Sequence, residues 1–381
     1  MIIKKALKLL LKKENLVLWA INMEWYENKL SYDLGIKYPI IQAPMASAAS
    51  IELASEVSNA GGLGSLGLSY HKSENILPDY NNLLSKTNNT VNINFFTHKE
   101  PLSNSAIHKE YKDYVSKFYK KYGIDKIPDI TNTCETFNRP QLDLLLQMNP
   151  KVVSFHFGLP KEDYIKEIKE QKIYMISSAT TVEEAKILEN SGADAVIAQG
   201  FEAGGHRGTF HSSYKEGEIG LFSLLPQIVS SINLPVIAAG GIADGRGIVA
   251  AMMLGAKGVQ LGTAFLKCPE ASVHPLWKKA LDDSKSRETR ITSAFTGRPA
   301  RGIVNYLLQE FDGKEFMLPD FPSVGSIIKP LANVAAKTGD ESFLSLWAGQ
   351  SAPMSENMPA KDLVQKLINE VSSIFNNIKN T

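Results

Sequence analysis

Short apolar segments alternate with helical patterns along most of the chain after residue 35. Eight of these segments are predicted to be strands, because each is short, apolar and bounded by glycine, proline or polar residues. They are Pro39–Ala43, Gly62–Leu66, Val91–Phe95, Val152–Phe155, Ile173–Ser177, Asp194–Ala198, Pro235–Ala239 and Gly258–Leu261. Strands that alternate with helices are typical of parallel βαβ units, so the pattern predicts an α/β protein.

The segments between the predicted strands carry helix boundaries. Thr181 precedes VEEAKILENSG with Glu184 three residues later, as in a capping box, and Gly192 lies where that helix should end. Asp244 likewise precedes RGIVAAMMLG, which Gly255 closes. Eight strands, each followed by room for a helix, predict a (β/α)8 TIM barrel. A doubly wound open sheet has the same local pattern, but the number of strands favours closure.

Two regions depart from this alternation. Residues 97–150 are polar and rich in lysine and tyrosine, and we predict helices that elaborate the connection between strands three and four. After strand eight, scattered helical segments and the proline-rich MLPDFPSVG predict a smaller, mainly helical domain, before LVQKLINEVSSIF returns to the barrel as an amphipathic helix. The predicted parts are an N-terminal extension (1–26), a barrel (27–266 and 346–381) and a helical domain that covers the substrate (267–345).

The first 22 residues contain five lysines among leucine, isoleucine and valine. One interpretation is a targeting or membrane-surface segment, but the apolar runs are too short for a signal peptide or a spanning helix. The interpretation that we favour is an appendage, or a misplaced start with Met23 as the true one. No later segment reaches the roughly 18 uninterrupted apolar residues of a membrane span.

Composition excludes several classes of protein. The 381 residues are 44% hydrophobic and 21% charged, which does not suit a disordered or coiled-coil chain. Lysine and arginine number 41 against 40 acidic residues, so no basic excess indicates nucleic acid as a partner. Cys134 and Cys268 are far apart and form neither a CxxC nor a metal-ligand spacing, so we predict no disulfide scaffold, no metal site and a reducing, cytoplasmic location.

Glycines follow the last two predicted strands. In PVIAAGGIADGRG the strand leads directly into Gly240 and Gly241, and in GVQLGTAF Gly262 and Thr263 have the same position. The loops after strands seven and eight commonly form the phosphate site of a TIM barrel, so the two motifs together predict phosphate binding. Either motif alone would be better explained as a simple turn.

A third glycine cluster follows strand six, in AQGFEAGGHRGTF. Gly204, Gly205 and Gly208 surround His206 and Arg207, and such a loop can lie close to a flat ring or a phosphate. The alternative is a mobile loop with an exposed histidine and arginine. No GxGxxG motif follows the first strand, which argues against a nicotinamide-binding Rossmann domain.

His156 is the candidate general base. In VVSFHFGLP it ends an apolar strand and precedes Gly158, which places it at the C-terminal mouth where barrel active sites lie. The alternative is a core histidine with satisfied hydrogen bonds. The chain has no HExxH, GxSxG or Cys–His pattern, so metalloprotease and serine hydrolase functions have no support.

Several motifs in this order closely resemble the nitronate monooxygenase family, once called 2-nitropropane dioxygenases. They span roughly residues 30–355 and are IIQAPMASAAS, VVSFHFGLP, ADAVIAQGFEAGGHRGTF, PVIAAGGIADGRG, GVQLGTAF and TSAFTGRPARGIVNYLL. The resemblance implies FMN across the mouth of a TIM barrel, with His156 of the H-x-G motif as the catalytic base.

The same resemblance implies a set of flavin contacts. Pro44, Met45 and Ala46 are expected beside the isoalloxazine, and the NINFF segment contributes Asn94, with Asn92 as the alternative. The other expected contacts are Gln199, Gly204, Gly240, Gly241, Gln260, Leu261, Gly262 and Thr263.

The implied reaction is the oxidation of an alkyl nitronate, such as propionate 3-nitronate, by O₂ to a carbonyl compound and nitrite, without NAD(P)H. One alternative is an FMN-dependent NAD(P)H reductase of an enoyl-thioester or a quinone. Another is a phosphate- or flavin-binding protein without catalysis. A homodimer is one assembly that the sequence allows.

Two arginines in TGRPARGIVNYL lie near Tyr306 in the sequence. Arg298 and Arg301 are candidates for a lid whose cations attract an anionic nitronate. The equally weighted alternative is that both form structural ion pairs.

Overall fold

The computed structural model of the chain describes residues 24–46, 48–102, 104–283 and 288–379. Most of the predicted N-terminal extension, up to residue 23, lies outside the described residues. The strands in chain order are β1 (Ile40–Gln42), β2 (Gly64–Gly67), β3 (Val91–Phe96), β4 (Val152–His156), β5 (Tyr174–Ala179), β6 (Ala195–Gln199), β7 (Gly205–His206), β8 (Val236–Ala239), β9 (Gly258–Leu261), β10 (Thr289–Thr292) and β11 (Ala300–Ile303).

Eight parallel strands form a barrel. Their order is β1, β9, β8, β6, β5, β4, β3, β2, and a parallel bridge between Ile41 and Leu63 joins the two ends of this sheet. All eight predicted strands are present, with ends within two residues of those predicted. The predicted (β/α)8 barrel is therefore confirmed.

The α-helices of the described residues surround the barrel and extend over its mouth. None of them combines the length and hydropathy that a bilayer span requires. They are α1 (Lys29–Leu34), α2 (Ile51–Asn59), α3 (Ser73–Lys86), α4 (Ser105–Lys121), α5 (Arg139–Met148), α6 (Glu162–Glu170), α7 (Val182–Asn190), α8 (Leu221–Val229), α9 (Gly245–Met253), α10 (Pro275–Asp282), α11 (Tyr306–Glu310), α12 (Gly325–Lys337) and α13 (Ala360–Lys379).

The predicted helix caps are present. Thr181 accepts a hydrogen bond from the Glu184 N–H at 3.2 Å, and Asp244 accepts one from the Gly247 N–H at 3.0 Å. Gly192 and Gly255 follow the two helices with φ of 96° and 103°, a left-handed conformation that suits glycine. The residues at which these two helices begin and end can therefore be identified from the sequence.

Glu184 does not make the reciprocal hydrogen bond of the predicted capping box, in which its side chain would accept from the Thr181 N–H. The fully buried Glu184 carboxylate accepts from the Thr180 N–H and hydroxyl, both at 2.8 Å, instead of returning to the Thr181 N–H. Its other oxygen accepts from the backbone N–H groups of Phe210, His211 and Ser212 at 2.7–3.3 Å. One side chain thus ties the loop after β7 to α7.

A small antiparallel sheet, of order β10, β11, β7, joins the loop after β6 to residues 289–303. These strands were not predicted, because they are only two to four residues long and their residues, GH, TRIT and ARGI, show no regular apolar alternation. The region predicted as mainly helical therefore also contains strands, and through them it is attached to the mouth of the barrel.

The helices of the two predicted insertions share one core. The Tyr119 hydroxyl on α4 donates to the Ile327 carbonyl on α12 at 2.7 Å. Around this contact α4, α11 and α12 bury a set of large apolar side chains, namely Tyr111, Val115, Phe118, Leu307, Phe311, Ile328 and Leu331. The domain boundaries 27–266, 346–381 and 267–345 stay a prediction. The helices above the barrel come from both regions that depart from the alternation, residues 97–150 and 267–345.

The final helix returns to the barrel as predicted. It packs against α2 and α9, and its Glu370 carboxylate accepts from the Gly245 N–H at 2.7 Å. A Cβ on Gly245 would lie 2.4 Å from the Glu370 Cβ, so a glycine is needed for this approach.

We expect Glu184→Ala to destabilise the protein by about 3 kcal/mol or more, because it removes the acceptor of the buried Thr180 N–H and hydroxyl and of three partly buried N–H groups at once. The matched control is Glu183→Ala on the same helical turn, where an exposed carboxylate only contacts His211 at 3.3 Å. Urea unfolding of the three proteins measures the difference. Equal stability of the two variants would contradict the role assigned to Glu184.

Candidate active site

Polar side chains from five strands converge on a cleft at the C-terminal mouth of the barrel. The cleft encloses about 30 Å³, which is space for one small polar group. Its polar lining consists of Asn94 of β3, Ser154 and His156 of β4, Ser178 of β5, Gln199 of β6 and Gln260 of β9, and Pro44 adds an apolar edge. Barrel active sites lie at this end because the carboxyl ends of all the strands meet there.

His156 is held by two hydrogen bonds. Its Nε2 lies 3.2 Å from the His206 carbonyl and its Nδ1 lies 2.6 Å from the Ser178 hydroxyl. A carbonyl can only accept, so Nε2 carries the proton and the hydroxyl donates to Nδ1. Desolvation, reinforced by the charge of Arg298, lowers the pKa of His156 to about 3. The imidazole is therefore neutral at physiological pH.

The backbone around His156 is unusual. Phe157 has φ of 76°, a conformation that is uncommon for a bulky residue, and Gly158 follows with φ of 101°. Gly208 lies against the other side of the imidazole, and a Cβ there would come within 2.9 Å of its Cε1. A glycine in the GGHRG segment is thus required by contact with the candidate base.

Asn94 and Asn92 differ in their access to the cleft. Both donate to the Ser154 hydroxyl at 2.9 Å, but only Asn94 lines the cleft, because Asn92 is two residues further down the strand and also donates to Ser65. The buried Oδ1 atoms of both asparagines have no hydrogen-bond partner among the described residues, so only their positions relative to the cleft separate them. The structure therefore favours Asn94 over Asn92 as the residue available to a ligand.

The GGHRG loop is fixed to the barrel by side chains. Gln199 donates to the His206 carbonyl at 3.0 Å and accepts from the Gly208 N–H at 2.8 Å. Arg207, only 1% exposed, donates to the carbonyls of Gly200, Gln199 and Gly217. Arg207 thus has a structural role, in contrast to the exposed arginine of the mobile-loop alternative.

All three glycine loops meet the segment 348–351. Thr263 Oγ1 accepts from the Gly349 N–H at 2.9 Å, and Ser351 donates to the Gly241 carbonyl at 2.6 Å. Gly204 lies so close that a Cβ on it would be 2.5 Å from the Gly349 nitrogen. The segment AGQS has no motif that would have revealed this position.

The loop at Gly240–Gly241 has a backbone conformation that favours glycine. Gly240 and Gly241 have φ of 107° and 72°, which only glycine adopts easily. The Glu202 carboxylate occupies the start of α8 by accepting from the Leu221 N–H at 2.9 Å. The start of this helix is therefore occupied by a side chain of the protein itself.

The loop after β1 lies beside these residues. A Cβ on Gly262 would be 3.7 Å from the Met45 sulfur, and one on Gly67 would be 3.1 Å from the Ala46 Cα. Leu261 is buried in the core, so that only its backbone is available at the mouth.

The two candidate lid arginines have different surroundings. Arg301 is buried and donates to the Phe201 and Thr289 carbonyls, which is a structural role. Arg298 lies 4.0 Å above the Phe157 ring and donates to the Thr209 carbonyl. Neither arginine forms an ion pair with a described residue. Tyr306, grouped with them in the sequence, instead packs on Phe118 and Phe343.

No metal centre is found in the described ranges, which contain no group of three His, Cys, Asp or Glu side chains placed to hold an ion. The polar groups that line the cleft are a neutral imidazole, amides and hydroxyls. Such a set can move a proton and can orient a polar ligand.

A model of the nitronate monooxygenase family matches residues 28–370. The chain belongs to this family. Enzymes of this name are oxidoreductases, and the predicted enzyme class is confirmed. The match covers the barrel, the small sheet and the helices above the mouth.

Similar proteins agree with the family. A "probable nitronate monooxygenase" of Staphylococcus saprophyticus is 39% identical over 345 residues, which cover 90% of this chain and 97% of that protein. A protein of the same name from Staphylococcus aureus is 36% identical over 92% of this chain and 99% of its own length.

Solved structures give the same result for the fold. Nitroalkane oxidase from Streptomyces ansochromogenes has a TM-score of 0.85 and 37% identity, covering 92% of this chain and all of that one. FabK from Thermotoga maritima has a TM-score of 0.72 and 29% identity, covering 93% of this chain and 99% of that one.

We expect the protein to lose stability as the pH falls from about 6.5 towards 4. Burial and Arg298 lower the pKa of His98 to about 4 and that of His156 to about 3, and burial also lowers the pKa of His206. The unfolded chain therefore binds more protons than the folded one in this range. The contribution of these histidines to the free energy of unfolding is complete above about pH 6.5. Below that pH it falls by about 1.4 kcal/mol per pH unit for each additional proton that the unfolded chain binds.

Urea unfolding between pH 7 and pH 5 measures this slope. His98→Gln should make the slope shallower, whereas replacing the exposed His211 by Gln serves as the control. A slope that is unchanged by His98→Gln would contradict the assignment.

Proposed function

We propose that this protein uses FMN to oxidise alkyl nitronates, such as propionate 3-nitronate, with O₂ to a carbonyl compound and nitrite. The observation that carries the proposal is the neutral imidazole of His156 beside a polar cleft at the mouth of a barrel of this family. A homodimer and a cytoplasmic location stay predictions.

Two features of the mouth support a flavin. The unpartnered Asn94 Oδ1 is an acceptor that a ring N–H can satisfy. At Gly262 an added Cβ would make only ordinary van der Waals contact with Ala43 and Met45, at 3.5 and 3.7 Å, so no described residue requires a glycine there and a ligand can account for it. The cleft itself encloses about 30 Å³, so a ring system must lie over it and not inside it.

The residues proposed to hold the cofactor fall into two groups. Those for the ring are Pro44, Met45, Ala46, Asn94, Gln199, Gln260 and Leu261, and those for the phosphate are Gly204, Gly240, Gly241, Gly262 and Thr263. When bound, the flavin supplies the redox step, in which electrons pass from the nitronate to O₂.

His156 is the proposed base for substrates that arrive as neutral nitroalkanes. Because Nε2 already carries a proton, the α-carbon proton goes to Nδ1, once the Ser178 hydroxyl that donates to Nδ1 has turned away from it. The new Nδ1–H can then donate to the Ser178 oxygen, and the Nε2–H keeps the His206 carbonyl as its acceptor. The nitronate formed is an anion, and it offsets the charge of Arg298 that otherwise disfavours a protonated ring.

The second candidate function is the FMN-dependent reduction of an enoyl-thioester or a quinone by NAD(P)H. The similarity to FabK over 93% of this chain is what favours it. NADH oxidation that needs no nitronate would select this function over the first one.

We expect heat-released cofactor from the purified protein to be FMN and not FAD, as identified by chromatography. Gly241→Val should weaken its binding, because φ is 72° there and the new side chain would crowd Glu202 at 3.3 Å. Gly313→Val is the matched control, since it has the same φ of 72° with open space around it. Recovery of FAD, or equal cofactor loss in both variants, would contradict the proposed phosphate site.

We expect His156→Asn to keep its cofactor but to lose activity on a neutral nitroalkane by ~10²-fold or more, the usual contribution of a general base. Activity on the pre-ionised nitronate should fall much less, because no proton remains to be removed. O₂ uptake and nitrite formation are measured on both forms of one nitro compound before they re-equilibrate. Equal losses on the two forms would show that His156 is not the base.

A further inference from the structure

The end of the barrel opposite to the mouth presents an exposed tyrosine on a rigid support. Helix α1 lies across this end, where Leu30 and Leu34 are fully buried against apolar residues of β1, β4, β5, β6 and β8. Tyr32 is two residues from each leucine, about 200° around the helix, so it lies on the outer face of α1. Its side chain is 75% exposed.

Four lysines surround α1 at this end. Lys37, Lys151, Lys172 and Lys257 come within three residues before β1, β4, β5 and β9, so they lie at the amino ends of the parallel strands, and all four are exposed. The Lys151 ammonium lies against Gly35, the residue at which α1 ends. None of the four forms an ion pair with a described acidic side chain.

The acidic side chains at this end offset part of the lysine charge. Asp33 and Asp194 are paired with Lys29 and Lys169. Exposed carboxylates are also present, namely Glu24, Glu27 and Glu170. The end of the barrel by itself therefore has only a small net charge, and strong binding of an anionic surface needs a further source of positive charge.

The segment 1–22 supplies that charge and joins the barrel at this end. Trp25 stacks on Tyr38, just before β1, at 6.0 Å between ring centroids, and its Nε1 donates to Ser372 on the final helix at 3.0 Å. The segment contains five of the 41 basic and one of the 40 acidic residues of the chain, a net charge of +4. The 36 basic and 39 acidic residues that remain give the rest of the chain a net charge of −3.

The sequence of the segment has the pattern of a basic amphipathic helix. Its lysines and its apolar residues each recur at intervals of three or four and fall on different faces at 100° per residue. The lysines are Lys4, Lys5, Lys8 and Lys12, and the apolar residues are Ile3, Ala6, Leu7 and Leu10. Such sequences bind in the headgroup region of a bilayer, and the nearby tryptophan and tyrosines are residue types that favour this boundary.

We propose that the segment 1–22 and the α1 end of the barrel together bind the surface of an anionic lipid bilayer. The lysines contact headgroup phosphates, the apolar residues of the segment enter the boundary of the acyl chains, and Tyr32 and Trp25 lie at headgroup level. The mouth of the barrel then faces away from the bilayer, towards water. The inference is independent of the proposed function, because it involves neither substrate nor cofactor.

Co-sedimentation of the full chain with lipid vesicles tests the proposal. The protein should bind phosphatidylcholine vesicles that contain about one third phosphatidylglycerol ~100-fold more tightly than vesicles of phosphatidylcholine alone. High salt should release it, because the attraction between exposed charges is screened. Equal binding to both kinds of vesicle, or binding to neither, would overturn the proposal.

Two sets of substitutions show whether both parts of the surface contribute. Lys→Gln at the four barrel positions should weaken binding by ~100-fold or more, since each lysine near an anionic surface strengthens it about fivefold. Lys→Gln at Lys4, Lys5, Lys8 and Lys12 should have a similar effect. Wild-type binding by either variant would overturn the proposal, because the surface would then not include that part.

A matched control has the same change in net charge at the other end of the molecule. It replaces four exposed lysines of α4 and α12, namely Lys109, Lys120, Lys329 and Lys337, by glutamine. This control should bind vesicles like the wild type. A loss as large as that of the barrel variant, or equally tight binding of polyuridylate at the same salt, would show a general attraction to polyanions and overturn the proposal.

Tryptophan fluorescence reports the orientation. Trp19 and Trp25 belong to the proposed surface, whereas Trp347 lies 5.2 Å from the His206 ring at the mouth and Trp277 is buried. Brominated lipids should quench the wild type, and replacing both Trp19 and Trp25 by phenylalanine should remove most of the quenching. Unchanged quenching in that variant would place the mouth against the bilayer and overturn the proposal.

Discussion

The backbone carbonyl of His206 holds the parts of the mouth in their relative positions. It accepts from His156 Nε2 and from Gln199 Nε2, and thereby connects β4, β6 and β7. Because β7 also pairs with β11, the same peptide places the segment that carries Arg298 above the barrel. The tautomer of the candidate base, the path of the glycine-rich loop and the position of the arginine are all set by this one acceptor.

The electrostatics of the mouth follow from desolvation more than from ion pairs. His98, His156 and His206 all have lowered pKa values, and burial is the largest cause for each. Arg298 adds to the effect, although burial also lowers its own pKa to about 10. A mouth with neutral imidazoles, in which Arg298 and Arg301 form no ion pair with a described residue, is suited to anionic ligands, since a bound anion supplies negative charge beside these cations.

The barrel could be predicted because its strands are apolar runs with clear boundaries, and the helix caps at Thr181 and Asp244 are local signals. His156 could be found because it interrupts such a run at its end. The small sheet could not be predicted, since strands of two to four polar residues have no periodicity. Ser178, His98 and the segment 348–351 were missed for another reason: each acquires its role only when loops distant in sequence come together.

The shared core of α4, α11 and α12 has a consequence for the order of events during synthesis. Tyr119 and its partner Ile327 are 208 residues apart, so the apolar face of α4 leaves the ribosome long before the helices that cover it. Until those residues emerge, a nascent barrel exposes that face to solvent and to other chains. The core of α4, α11 and α12 therefore forms only after α12 is made, and a chain that ends before α12 exposes the apolar face of α4 although it contains all eight barrel strands.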